Sequence, residues 1–221
     1  YGSYSIAYVP RAGEQLSSLT ASTQAFDPEE FTNVELGAKW DIRPNLSATA
    51  AVYRLDRTNV VIPGMTSADP SQLADGQTTK GLELGVAGKL TSAWSVMGGY
   101  AYQDAVLTAT TSANARDGAT LAQVPRHSAS LWNRYEFTPA WAAGLGVIYR
   151  DSIYTTTSNA VTLPSFTRVD AALFYTINRN YRVQLNVENL FDKKYYASAH
   201  SDTNISPGAP RAVRVALNAT F

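Results

Sequence analysis

Two histidines are the only imidazoles in the 221 residues and there is no cysteine, so the catalytic chemistry open to this chain is narrow. Without thiols, disulfides, thiolate metal sites and thiol nucleophiles are excluded together. His127 could serve as a general base if Asp104 or Asp151 oriented it, but no nucleophile stands at a spacing that completes such a set. His127 and His200 are far apart and have no ligand-spaced partners, which leaves no metal motif. The 18 Lys+Arg balance 18 Asp+Glu, so the clustered basic charge that nucleic acid requires is absent. What recurs instead is charge placed at every second position within runs rich in apolar residues. Glu35, Lys39, Glu83, Lys89, Arg134, Glu136, Arg182, Glu188 and Arg214 all follow this rule. Against lipid they would be costly, whereas lining a polar interior they can pair with one another.

Alternation of this kind requires extended strands, because only a period of two puts neighbouring side chains on opposite faces. Residues 181–221 show it most plainly. Tyr181, Val183, Leu185 and Val187 oppose Arg182, Gln184, Asn186 and Glu188, and Val213, Val215, Leu217, Ala219 and Phe221 oppose Arg214, Asn218 and Thr220. Similar runs begin near Tyr1, Phe31, Leu46, Gly81, Trp94, Ser128, Trp141 and Arg168, giving about ten strands of roughly 9–12 residues, enough to cross a bilayer when tilted. Over residues 46–57 both parities are partly apolar; the pattern there predicts Ala51, Tyr53 and Leu55 facing outward with Arg54 inward.

The connections are sorted as well. Short ones of about 3–5 residues alternate with long ones of roughly 12–22, the asymmetry of a barrel with tight turns on one rim and extended loops on the other. Trp40, Trp94, Phe137, Trp141, Tyr175, Tyr181 and Phe221 lie at the short-turn end, as an interfacial aromatic girdle would. An ordinary half-buried sheet would explain any single strand; ten with sorted loops favour a membrane barrel. No apolar run approaches the roughly 18 residues of a spanning helix, so a helical membrane protein is excluded. Without an initiator Met or a signal peptide, the chain is expected to be processed or a piece of a longer one.

Several stretches carry a resemblance. Val187-Glu188-Asn189-Leu190-Phe191-Asp192-Lys193-Lys194-Tyr195-Tyr196, then Pro207-Gly208-Ala209-Pro210-Arg211 and a last strand ending in Phe221, resemble the C-terminal signature of TonB-dependent outer-membrane receptors. The run from Pro28 through Glu35, Gly37 and Lys39, the run Lys80-Gly81-Leu82-Glu83-Leu84, and Val124-Pro125-Arg126-His127-Ser128 resemble the siderophore-receptor branch. The likeness implies an all-β, antiparallel transmembrane β-barrel. Residues 1–221 would be its C-terminal portion, about ten strands of a 22-stranded barrel, with the plug domain absent from this chain. Physical roles can be assigned to some signature residues. Asn189 can bond turn backbone while Leu190 and Phe191 anchor the loop, Gly208 between Pro207 and Pro210 fixes re-entry into the last strand, and Gly81 marks a bulge or a close approach.

The function implied by the resemblance is energy-dependent uptake of a ferric siderophore, with a lean to the catecholate type, in the outer membrane of a Gram-negative bacterium. No catalysis and no cofactor are expected, since the iron travels inside the siderophore. The partners implied are the siderophore, outer-membrane lipid, the TonB energy-transducing complex acting through the N-terminal region, and the barrel-assembly machinery at the C-terminal strand. A bulky anionic chelate calls for aromatic and basic contacts near the external end. The candidates are Tyr8, Arg11, Arg57, Tyr102, Arg116, Arg126, His127, Arg150, Tyr154, Tyr195, Tyr196 and His200. The alternative is a self-contained small barrel acting as a porin, an adhesin or a hydrolase.

Overall fold

The computed structural model describes residues 1–10, 26–62 and 72–220; Arg11 and Phe221 lie outside them. β1 (Gly2–Val9), β2 (Glu29–Arg43) and β3 (Leu46–Thr58) come first, followed by a short hairpin of β4 (Val60–Ile62) and β5 (Gln72–Ala74). β6 (Gln77–Lys89), β7 (Trp94–Leu107), β8 (His127–Glu136) and β9 (Trp141–Arg150) lead to a second hairpin, β10 (Ile153–Tyr154) with β11 (Thr162–Leu163). β12 (Phe166–Thr176) and β13 (Tyr181–Glu188) precede a third hairpin, β14 (Tyr196–Ala199) with β15 (Ile205–Pro207), and β16 (Ala212–Ala219) is last. The ten long strands form one sheet in the order β1-β2-β3-β6-β7-β8-β9-β12-β13-β16. Every neighbouring pair is antiparallel. Each strand therefore pairs with its predecessor in the chain, and the small hairpins stay out of the sheet as elaborations of the long loops.

Register separates two faces. Leu36, Val52, Leu82 and Tyr102 lie opposite one another across four strands, as do Leu131, Val147 and Val169, and then Leu173, Leu185 and Val215. On the other face Glu35 meets Tyr53, Tyr53 meets Gly81, Arg134 meets Gly144, and Asn186 meets Arg214. All nine alternating charges singled out above share this second face. The apolar face is open: Leu36 is 66% exposed, Leu145 48% and Val215 71%. A continuous leucine and valine surface of this kind is unfavourable in water and matched to hydrocarbon.

One expectation fails. Ala51, Tyr53 and Leu55 lie on the polar face, and Arg54 lies on the apolar one, opposite Val34 and Lys80. The reason is local. Tyr53 lays its ring across Gly81, where a methyl group would overlap it, so a large residue is accommodated on the polar side by the missing side chain of its neighbour. Arg54 sits near the loop end of its strand and donates to Asp56 at 2.7 Å, a pairing that offsets its charge on this face. Gly81 thus marks a close approach; β3 and β6 pair through it without a bulge.

Three of the four short turns share a device that the strand pattern does not reveal. Thr91 accepts the N–H of Trp94, Thr138 that of Trp141, and Asn178 that of Tyr181, each at 3.0 Å. A polar side chain three residues ahead thus closes the turn and launches an aromatic onto the next strand. Trp40, Trp94, Phe137, Trp141, Tyr175 and Tyr181 are all exposed at this rim, with the Trp141 and Tyr175 rings stacked at 4.4 Å.

The opposite rim is a folded crown. Loops 108–126, 151–165 and 189–211 are tied together. Asn159 bonds both the N–H and the carbonyl of Thr120 at 2.9 Å, Gln123 accepts from the Ala199 N–H, and Thr155 and Thr156 both donate to Asp202. Ile153, Leu163 and Ala199 are buried beneath these bonds, with Ile205 against them.

Candidate functional site

At the loop end of the polar face, β9 and β12 bring two arginines and two rings together. Arg150 lies opposite Phe166 in the ladder, and its guanidinium carbon stands 4.8 Å from that ring's centroid. The Phe166 ring lies 4.3 Å from that of Tyr195. Arg168, two positions along the same face, donates to the Tyr195 hydroxyl at 3.1 Å and to Asp170 at 2.8 Å. The Nε atoms of both arginines are shielded and have no hydrogen-bond partner among the described residues. Arg150 uses its terminal nitrogens to hold the carbonyls of Tyr196 and Ala197, which pins the third external loop to the wall.

Beside this cluster lies a recess of about 460 Å³. Gly99, Ala101, Ser128 and Ser130 form its floor, with Arg150 and Phe166 on one side and Glu83 on the other. Small residues on two adjacent strands leave the wall flat here, so a planar group can approach the backbone with cation and ring at its edge.

The C-terminal signature residues Asn189, Asp192 and Gly208 act as scaffold for this cluster, whereas Phe191, expected to anchor the loop, is 73% exposed. Asn189 is 1% exposed with φ +51, and its amide donates to the carbonyls of Lys193 and Ala209 at 3.0 Å while its oxygen accepts the Lys193 N–H at 2.8 Å. Its own N–H goes to Asp170, joining the turn to the Arg168 pair. Asp192, also at φ +51, accepts the Arg211 N–H. Gly208 lies against the Tyr195 ring, where any side chain would overlap it, and Gly37 does the same beneath Tyr1. Tyr1 donates its hydroxyl to Glu35, and Lys39 lies 5.4 Å from the same ring.

The remaining sequence candidates are scattered. Tyr8, Tyr102 and His127 lie on the apolar face, away from Arg150 and Tyr195. His127 bonds the Tyr100 hydroxyl through Nδ1 at 2.8 Å, and neither Asp104 nor Asp151 takes the orienting role a hydrolytic dyad would need. Arg126 instead pairs with Asp104 at 3.0 Å, a bond that raises its already high pKa, and both line a loop cavity with Tyr154. Arg57 pairs with Glu29 at 2.6 Å and lies over Phe31. Arg116 donates to the carbonyl of Ala113, and His200 caps its loop through its backbone. Phe166 and Arg168 are absent from the sequence candidates. Their signal was the same parity in one strand, Phe166-x-Arg168-x-Asp170, which reads as lumen lining until the fold places Tyr195 over it.

Comparison with known proteins follows the same lines. The family model described as "TonB dependent receptor-like, beta-barrel" matches residues 1–190. The siderophore receptor PiuA of Acinetobacter baumannii is 32% identical over 218 residues, covering 93% of this chain and 29% of its own length. The catecholate siderophore receptor Fiu of Escherichia coli is 33% identical over 234 residues, covering 100% and 30%. The crystal structure of PiuA superposes with a TM-score of 0.85 at 31% identity, over 99% of this chain and 33% of that one. The closed form of Fiu gives 0.86 at 30% identity, over 99% and 32%. The chain thus spans about a third of the length of the relatives it matches.

Proposed function

Because this chain belongs to the TonB-dependent receptor β-barrel family, we propose that its ten strands form the C-terminal wall of an outer-membrane receptor that imports a ferric siderophore of catecholate type. Proteins of this family reside in the outer membrane of Gram-negative bacteria. Strands elsewhere in the receptor pair with the open sides of β1 and β16, since an unpaired edge in hydrocarbon leaves backbone groups without partners. The energy-transducing TonB partner acts on parts of the receptor beyond these residues, and the assembly machinery engages the last strand.

The observation that carries this reading is the wall cluster of Arg150, Phe166, Arg168 and Tyr195 above a flat recess, under a crown of tied loops. A ferric catecholate is a bulky anion with planar rings, and the cluster offers cations and aromatic faces toward the same space. Of the sequence candidates, Arg150, Tyr195 and Tyr196 belong to this contact region and Arg126 and Tyr154 to the loop cavity; Tyr8, Tyr102 and His127 do not. Arg150 works partly by holding the loop. The chain binds and passes the ligand without a covalent step, and the iron enters and leaves within it.

The test is growth on a ferric catecholate as sole iron source by cells carrying the full-length receptor. Loss of growth on deleting either the receptor or its energy-transducing partner is expected, and growth that persists without the partner would indicate passive diffusion and overturn the reading. Phe166→Ala combined with Arg168→Gln should lower ligand affinity about tenfold, as removal of aromatic and charged anchors does. Unchanged affinity moves the contact elsewhere.

A further inference from the structure

The apolar face carries a feature at its loop end that ligand uptake does not explain. Phe191 is 73% exposed there, and with Tyr149, Thr167, Val169 and Lys193 it lines a recess of about 460 Å³ between β9, β12 and the loop that follows β13. Lys193 and its neighbour Lys194 are exposed and make no ion pair among the described residues. Among the described residues the side chain of Arg211, at the loop end of β16, reaches only the carbonyl of Leu190, at 3.5 Å. Two carboxylates lie close by, and each is engaged by backbone: Asp192 accepts the Arg211 N–H, and Asp151 accepts the Ser152 N–H at 2.8 Å and, at 3.5 Å, the Tyr149 hydroxyl. The rim therefore carries an excess of uncommitted cations, with Lys193 itself lining the recess beside the protruding ring of Phe191.

We infer that this recess is a docking site for one outer-leaflet lipid with an anionic phosphate headgroup, its acyl chain against Phe191 and Val169 and its phosphate reached by Lys193, Lys194 and Arg211. A ring as exposed as that of Phe191 is stabilised where hydrocarbon replaces water. Unpaired lysines at the edge of that hydrocarbon attract anionic headgroups, with a strength that salt diminishes. The inference rests on placing this face in lipid and is independent of which siderophore is carried.

The experiment uses the full-length receptor bearing Phe191→Trp, reconstituted in phosphatidylcholine vesicles at low salt. Quenching of the added fluorescence is compared for brominated phosphatidylglycerol and brominated phosphatidylcholine. Preference for the anionic lipid on the order of fivefold per lysine is expected. That preference should fall to the remainder owed to Arg211 in the Lys193→Gln, Lys194→Gln double variant and survive in full in the Lys193→Arg, Lys194→Arg one. Equal quenching by both lipids in the parent overturns the site while leaving the membrane placement intact. Absence of quenching by either lipid overturns the placement as well.

Discussion

The two faces of this sheet are made from the same strands, one residue apart, yet they obey opposite rules. On one side the large side chains are aliphatic, project outward and touch little: Leu36, Val52, Leu145 and Val215 are all exposed. On the other side nearly every large group has a partner. Trp132 lies flat over Gly144 and Gly146, Arg134 pairs with Glu136 and lies 5.1 Å from Phe174, and Gln184 donates to Asn186. The difference teaches which solvent each side is built for. Aliphatic groups need no partner in hydrocarbon, whereas polar groups on a crowded wall organise one another.

The sharpest way to break that contrast is to place the same charge on each face. Leu145→Arg should cost about 2–4 kcal/mol of stability in lipid vesicles, while Ser130→Arg on the polar side should cost under about 0.5. Equal costs, read from urea unfolding of the reconstituted receptor, would mean that both sides meet the same medium. Next in size is Asn189→Ala. It strands two carbonyls and an N–H in a site closed to water, and about 2–3 kcal/mol should be lost by the same assay.

Gly81→Ala tests how tightly the polar wall is packed. The added methyl meets the Tyr53 ring, so about 2 kcal/mol should be lost, and most of it recovered when Tyr53→Ala is introduced as well. Smallest is Thr138→Ala, which removes the acceptor for the Trp141 N–H at an exposed turn and should cost about 0.5–1 kcal/mol. A larger loss would mean that the turn device, and not the sheet behind it, sets the position of the aromatic rim.

Parity was readable from sequence wherever one set of alternating residues is purely apolar, as in Val213, Val215 and Leu217. It failed in residues 46–57, where alanine and leucine occur in both sets and the glycine opposite the single tyrosine, Tyr53, decides which face takes the ring. The hairpins within the loops were hidden for another reason. Runs of two to four residues such as Ile153–Tyr154 carry no period, and their pairing depends on loops distant in sequence. The candidate site was half legible. Arg150 and Tyr195 stood out by residue type near the external end, but Tyr102 and His127 share those types and lie on the opposite face. The turn motif, a Thr or Asn three residues before Trp or Tyr, was present in plain text at 91–94, 138–141 and 178–181.

The buried knot of Ile153, Leu163 and Ala199 beneath the crown has a consequence for descent. Ile153 and Leu163 come from one external segment and Ala199 from another, so these two segments cannot drift independently: a bulkier residue at any of the three positions must be matched by trimming at another. Variation among cousins of this chain should therefore gather at the segment tips, and exchanging one of the two segments alone between cousins should fail where swapping both together succeeds.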